Sequence, residues 1–119
     1  MIENMRCSII TSEEARVDLL LRAEYIALHF QDRDAARGFI DLYEEQLNIL
    51  SPFPMAYRCI GFKYKGYEIR IKPFDSCNLF FTTDEGNNRI IVLRVLGNRQ
   101  DWIKILITET SYHFPKDIE

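Results

Sequence analysis

From residue 15 the apolar positions recur at helical spacing. Ala15, Leu19, Ala23, Ile26 and Phe30 fall at gaps of 4, 4, 3 and 4, which places them on one face of a helix. Thr11 and Glu14 precede it in the S/T-x-x-E arrangement that satisfies orphan amides at a helix start. The pattern resets after Gln31, where Asp32 can serve as a new N-cap. Ala36, Ile40, Tyr43, Leu47 and Leu50 then repeat at gaps of 4, 3, 4 and 3. Ser51-Pro52-Phe53-Pro54 ends the second helix, because proline removes an amide donor and biases its predecessor away from helix. Two amphipathic helices with so short a link fold back as an antiparallel hairpin, and their apolar stripes need a surface to cover.

Beyond the prolines the period changes to two. Tyr57 to Phe62 reads as an extended approach segment. Tyr67, Ile69 and Ile71 share one face of the next strand, and Glu68, Arg70 and Lys72 the other. A turn at Pro73-Phe74-Asp75-Ser76 leads to a strand at Leu79-Phe80-Phe81, and Asp84-Glu85-Gly86-Asn87-Asn88 is a hairpin turn signal. Arg89 to Leu96 is apolar throughout except for its two arginines, the signature of a central strand buried on both faces. Gly97-Asn98 breaks it, Arg99 follows, and Asp101-Trp102 opens a short helix on Ile103, Leu106 and Ile107. With a first strand at residues 6–10, the expected fold class is α+β. It comprises an N-terminal strand, an antiparallel two-helix hairpin, a three- to four-stranded antiparallel sheet and a short C-terminal helix. Residues 1–119 form one domain, with 109–119 a flexible tail carrying Tyr112-His113-Phe114.

A chain of 119 residues with 47% hydrophobic and 28% charged content is long enough for one core. It lacks the run of roughly 18–20 apolar residues that crosses a membrane. Cys7, Cys59 and Cys77 are odd in number and far apart, which fits a reduced, cytoplasmic compartment. Charge changes the picture more. Residues 1–55 hold 5 Lys/Arg against 10 Asp/Glu, residues 56–104 hold 9 against 5, and the total is −3. A basic second half suits an anionic partner, while the acidic total argues against strong nonspecific binding to nucleic acid.

Most catalytic classes lack their motif. The sequence has no clustered metal ligands, no glycine-rich phosphate loop and no GxSxG elbow, so neither a metal nor a cofactor is expected. What remains is a basic, aromatic surface. Arg58, Lys63, Lys65, Arg70, Lys72, Arg94 and Arg99 lie in or beside the sheet, interleaved with Tyr57, Tyr64 and Tyr67. Such groups hold a phosphodiester and stack bases; they equally make an ordinary solvated sheet face.

Several stretches resemble the RelE/ParE superfamily of type II toxins, which includes plasmid stabilisation proteins. They are Asp18-Leu19, Tyr25-Ile26-Ala27, Ala35-Ala36, Phe39, Leu47, Phe53-Pro54, Leu79-Phe80-Phe81 and the ending Arg94-Val95-Leu96-Gly97-Asn98-Arg99-Gln100-Asp101-Trp102. The ending is similar to the family's R-V-L-[HY]-G-R-[RQ]-D-[WY]. The resemblance spans about residues 5–104. It implies a cytoplasmic growth-arresting toxin neutralised by a cognate antitoxin protein, acting on DNA gyrase (ParE-like) or on the ribosome with its mRNA (RelE-like).

By the same resemblance, Arg70 and Lys72 stand where RelE-like members carry basic residues, and Arg99 matches the closing arginine. Asn78 stands where those members place an arginine, Phe81 replaces a tyrosine, and Leu96-Gly97-Asn98 departs from the His or Tyr before Gly-Arg. These departures remove groups an RNA-cleaving site would use, so ParE-like inhibition of gyrase by binding is the expected function. One alternative is a ribosome-dependent endoribonuclease with Arg70 and Arg99 catalytic; another is a degenerate toxin kept only as a binding module. Lys65, Tyr67, Arg70, Lys72, Arg94 and Arg99 are the expected target- or antitoxin-binding residues.

Overall fold

The computed structural model describes residues 7–115. Arg6, the first residue of the expected opening strand, lies outside them, as do residues 116–119 at the end of the expected tail. The elements run β1 (Ser8–Thr11), α1 (Glu13–Phe30), α2 (Arg33–Leu50), β2 (Cys59–Tyr64), β3 (Tyr67–Phe74), β4 (Cys77–Asp84), β5 (Arg89–Gly97) and α3 (Trp102–Thr108), with single 3-10 turns at Pro54–Ala56 and Glu85–Asn87. The sheet has five strands in the order β1-β5-β4-β3-β2. That exceeds the three to four antiparallel strands expected, because β1 pairs parallel to β5 and the approach segment becomes an edge strand at 59–64.

The helical hairpin forms as its periodicity requires, with one change at the start. Ser12, not Thr11, is the N-cap of α1: its hydroxyl accepts from the Ala15 amide at 2.9 Å. Thr11 instead shares a hydrogen bond with the Tyr43 hydroxyl in α2. Gln31 adopts a left-handed conformation that turns the chain, and the Asp32 carboxylate accepts from the amides of Asp34 and Ala35 to start α2. Each cap contributes about 1 kcal/mol.

Both sheet faces are covered. On one, Ala15, Leu19, Phe39, Tyr43 and Leu50 of the hairpin pack on Phe74, Leu79, Phe81, Ile90, Val92 and Val95. On the other, Leu106 of α3 and Tyr112 of the tail pack on Ile69, Ile71, Phe80, Ile91, Leu93 and Leu96. Phe80 and Phe81 are adjacent in β4 and fully buried, one in each core, as the alternation of a strand demands. A β-bulge lies opposite them: Phe81 pairs with Val92 and Phe80 with Arg94, leaving Leu93 as the extra residue.

The segment expected to be a flexible tail packs through Pro115. Tyr112 is buried and meets the Tyr64 ring edge-on, with centroids 5.2 Å apart. Burial pushes its phenol up to about 12. The His113 carbonyl accepts from the Glu13 amide, the His113 amide donates to Glu14 Oε1, and the imidazole Nδ1 lies 2.7 Å from Glu14 Oε2. The tail thus clasps the N-terminus of α1.

Candidate functional site

The site residues sort by where their side chains go, beginning at the edge of β5. β1 pairs with β5 only from Arg89 to Val92, so the edge beyond is left to α1. The Ser12 amide donates to the Val92 carbonyl, and its hydroxyl donates to the Leu93 carbonyl at 2.7 Å. Asp18 then accepts from the Val95 amide at 3.0 Å and from the Nε and Nη2 of Arg94, both at 2.8 Å. The side chains of Ser12, the N-cap of α1, and Asp18 within it stand in for the missing strand. Hydrogen bonding to Asp18 raises the Arg94 guanidinium above its already high value, and the pair is mostly withdrawn from water. Arg94 is therefore held within the fold by Asp18 and is mostly withdrawn from the surface.

Arg70 and Lys72 lie on the hairpin-covered face of β3. Arg70 Nη1 donates to the carbonyls of Tyr57 and Met55. Lys72 is buried, donates to Gln46 Oε1 of α2, and its ammonium lies 5.5 Å from the centre of the Tyr57 ring. Burial lowers its pKa. Both residues tie β3 to the segments packed over it, where a free basic surface was expected.

Lys65 and Tyr67 are exposed at the β2–β3 hairpin. Lys65 and Gly66 take φ of +52° and +86° there, the two-residue turn that favours glycine at its second position. The Lys65 ammonium sits over the Tyr64 ring. From Tyr67 to Phe74 the strand covers seven steps, about 23 Å, so Lys65 and Tyr67 stand at the opposite end of β3 from Arg99. The expected set is not one site.

Arg99 is exposed on the rim of a cleft of about 1180 Å³ between α1, the Asp75–Ser76 turn and the loop after β5. That loop is built locally: the Asn98 amide donates to the Ser76 carbonyl, Asn78 donates through its side chain to Asn98, and Gln100 Oε1 accepts from the Gly97 amide. The cleft also holds a residue that sequence reasoning missed. Arg22 donates from Nη2 to Ser76 Oγ, its guanidinium carbon lies 5.6 Å from the Tyr25 ring centre, and its Nε is buried without a partner among the described residues. His29 lines the same cleft and stacks on Tyr25 at 5.1 Å with its ring nearly parallel.

The signal for Asp18 and Arg22 was charge at positions i+3 and i+7 from Ala15, beside the buried helix stripe, where a side chain must find a partner. Five large apolar residues of α1 point outward instead: Val17, Leu20, Leu21, Leu28 and Phe30 are 52–72% exposed. Phe30, expected on the inner stripe, is among them. Among the described residues no group of three or more His, Cys, Asp and Glu side chains could hold a metal ion, and no helix is long and apolar enough to cross a membrane.

A family model described as the ParE toxin of type II toxin-antitoxin systems, parDE, matches residues 9–102, from β1 to the first residue of α3. A comparison with curated proteins finds no match.

Proposed function

The chain belongs to the ParE toxin family of type II toxin–antitoxin systems, and from that premise we propose that it arrests growth in the cytoplasm by binding DNA gyrase, without cutting RNA. The observation that carries the reading is the internal engagement of the basic residues a nuclease would need free. Arg70 is held by backbone carbonyls, Lys72 by Gln46 under α2, and Arg94 by Asp18. Arg99 alone of the four is exposed in the cleft. Arg70 lies five residues, about 17 Å along β3, from the Asp75–Ser76 turn beside which Arg99 sits. General acid–base work on one phosphodiester needs its groups within hydrogen-bond reach of the same atoms, and these two do not meet. A toxin that acts by binding needs only a presented surface.

Induction of the chain alone in a bacterium, with labelled methionine and thymidine followed over the first minutes, tests this. The expected result is early loss of thymidine incorporation while protein synthesis continues, with purified protein inhibiting supercoiling by gyrase. Early loss of methionine incorporation, with messages cut at the ribosome and cutting abolished by Arg99→Ala, would establish the RNA-cleaving alternative. Unimpaired growth with soluble, folded protein would leave only a binding module.

A further inference from the structure

We propose that residues 109–115 form a strap with two positions. Tyr112 seated on Tyr64 and His113 bound to the first turn of α1 close and open as one unit, and the charge on His113 biases the choice. The inference rests neither on the family nor on the choice of gyrase as target.

The two contacts are joined through one peptide. The amide between Tyr112 and His113 is the His113 N–H, which donates to Glu14 Oε1 at 3.0 Å. Lifting the Tyr112 ring from its place edge-on to Tyr64 therefore pulls on Glu14. The following peptide contributes the His113 carbonyl, which accepts from the Glu13 amide at 2.8 Å. That amide is one of the four at a helix start that lack a partner inside the helix. Closure is opposed as well as favoured. Tyr112 is 9% exposed, and its hydroxyl is buried without a hydrogen-bond partner among the described residues, a loss relative to the water it would meet outside. A segment held by few contacts and opposed by one such defect populates two positions.

Charge acts on that balance in one direction. Glu14 is the principal group acting on the imidazole, through its hydrogen bond and its charge, and Glu13 and Glu109 add to the attraction. The groups acting on Tyr112 are Arg94, Glu109, Glu14 and Tyr64, and its phenol, pushed up to about 12, does not titrate near neutral pH. His113 is thus the group on the strap that changes charge around neutrality. Its protonated form is favoured in the closed position. Closure is strongest below the free imidazole value of about 6.5 and weakens as pH rises through the raised one. The imidazole is 70% exposed, so solvent screens the pair and the bias is a few-fold. When the strap leaves, the groove of about 460 Å³ between α3 and the β2–β3 hairpin loses the wall made by Glu109, Thr110 and Tyr112 and widens onto Tyr64 and Ile69. Lys63 and Lys65 stand exposed on its rim. The strap therefore sets how much apolar sheet face is presented beside those two cations.

The test is amide exchange of the full-length protein followed by NMR, with protection factors corrected for the intrinsic pH dependence of exchange. The Glu13 and His113 amides should lose protection together, by about two- to fivefold, between about pH 6 and about pH 8.5. Glu14→Gln should remove most of that change. Tyr112→Phe takes away the unpartnered hydroxyl without disturbing the fold and should raise protection at Glu13 by roughly fivefold or more. Tyr112→Ala should lower it while leaving β4 unchanged, and should bind the apolar dye anilinonaphthalene sulfonate more strongly than the unaltered chain. Loss of protection at His113 without loss at Glu13 would overturn the proposal in favour of a tail that frays from its end. A pH response undiminished in Glu14→Gln, a Glu13 amide indifferent to both changes at Tyr112, or equal dye binding would overturn it as well.

Discussion

α1 and α2 are both 18 residues long, lie antiparallel and cover the same sheet face, yet they are held by opposite means. α2 buries Phe39, Tyr43 and Leu50 and turns Asp34, Arg37, Asp41, Glu44 and Glu45 to water, the ordinary division of an amphipathic helix. α1 buries only Ala15 and Leu19 among its apolar residues and is fastened by polar hooks: Ser12 and Asp18 on β5, and Arg22 on Ser76. Its larger apolar side chains point away from the core. Folding accounts for the composition of α2 more fully than for that of α1, whose Leu20, Leu21 and Leu28 are left exposed.

Substitutions can break or sharpen this contrast. The largest effect is expected at the polar hook. Asp18→Ala leaves the Arg94 guanidinium and the Val95 amide without their partner, and chemical denaturation should show a loss of about 3–5 kcal/mol. Leu50→Ala, at the fully buried end of the α2 stripe, should cost about 2–5 kcal/mol in the same assay. Leu20→Ser and Leu28→Ser, on the outer face of α1, should change stability by no more than about 0.5 kcal/mol. A large stability loss at either leucine would refute the contrast.

The smallest effect is local and depends on pH. Hydrogen bonding to Glu14 raises the His113 imidazole above its usual 6.5. Burial alone would raise the Glu14 carboxyl, but the hydrogen bonds from His113 outweigh it and hold it below its usual 4.5. The ion pair therefore contributes fully between about pH 4.5 and 6.5. It weakens as pH rises through the raised histidine pKa and as pH falls through the lowered glutamate pKa. Amide protection factors of residues 109–115, corrected for the intrinsic pH dependence of exchange, should be largest in that window, and His113→Ala should flatten the profile.

Element type was legible because period and turn chemistry agree along the chain. The 3.6-residue repeats, the Asp32 cap and the two-faced apolar run of β5 each identified its element, although Phe30 at the end of the first repeat faces outward. The strand at 59–64 was less visible because Gly61, at φ +90°, and a register shift interrupt its alternation. Where the basic residues would stand was less legible for a different reason. Alternation at Tyr67–Lys72 divides the residues between two faces but does not say which face is covered. Here both are, so Arg70 and Lys72 had to find acceptors inside. Arg22 was marked only by its place beside the buried stripe of α1, which calls for a partner without naming one. Its meaning came from the turn at Ser76, distant in sequence and adjacent in space.

The closure of the β5 edge by α1 also sets a timetable for synthesis. Ser12 and its acceptor Leu93 are separated by 81 positions. A ribosome adding roughly 5–20 residues per second needs about 4–16 s to make that interval. Through that time the helical hairpin has emerged without the sheet that covers it, and the polar hooks of α1 have nothing to grip. The chain therefore cannot close the β5 edge co-translationally until nearly the whole of it has been made.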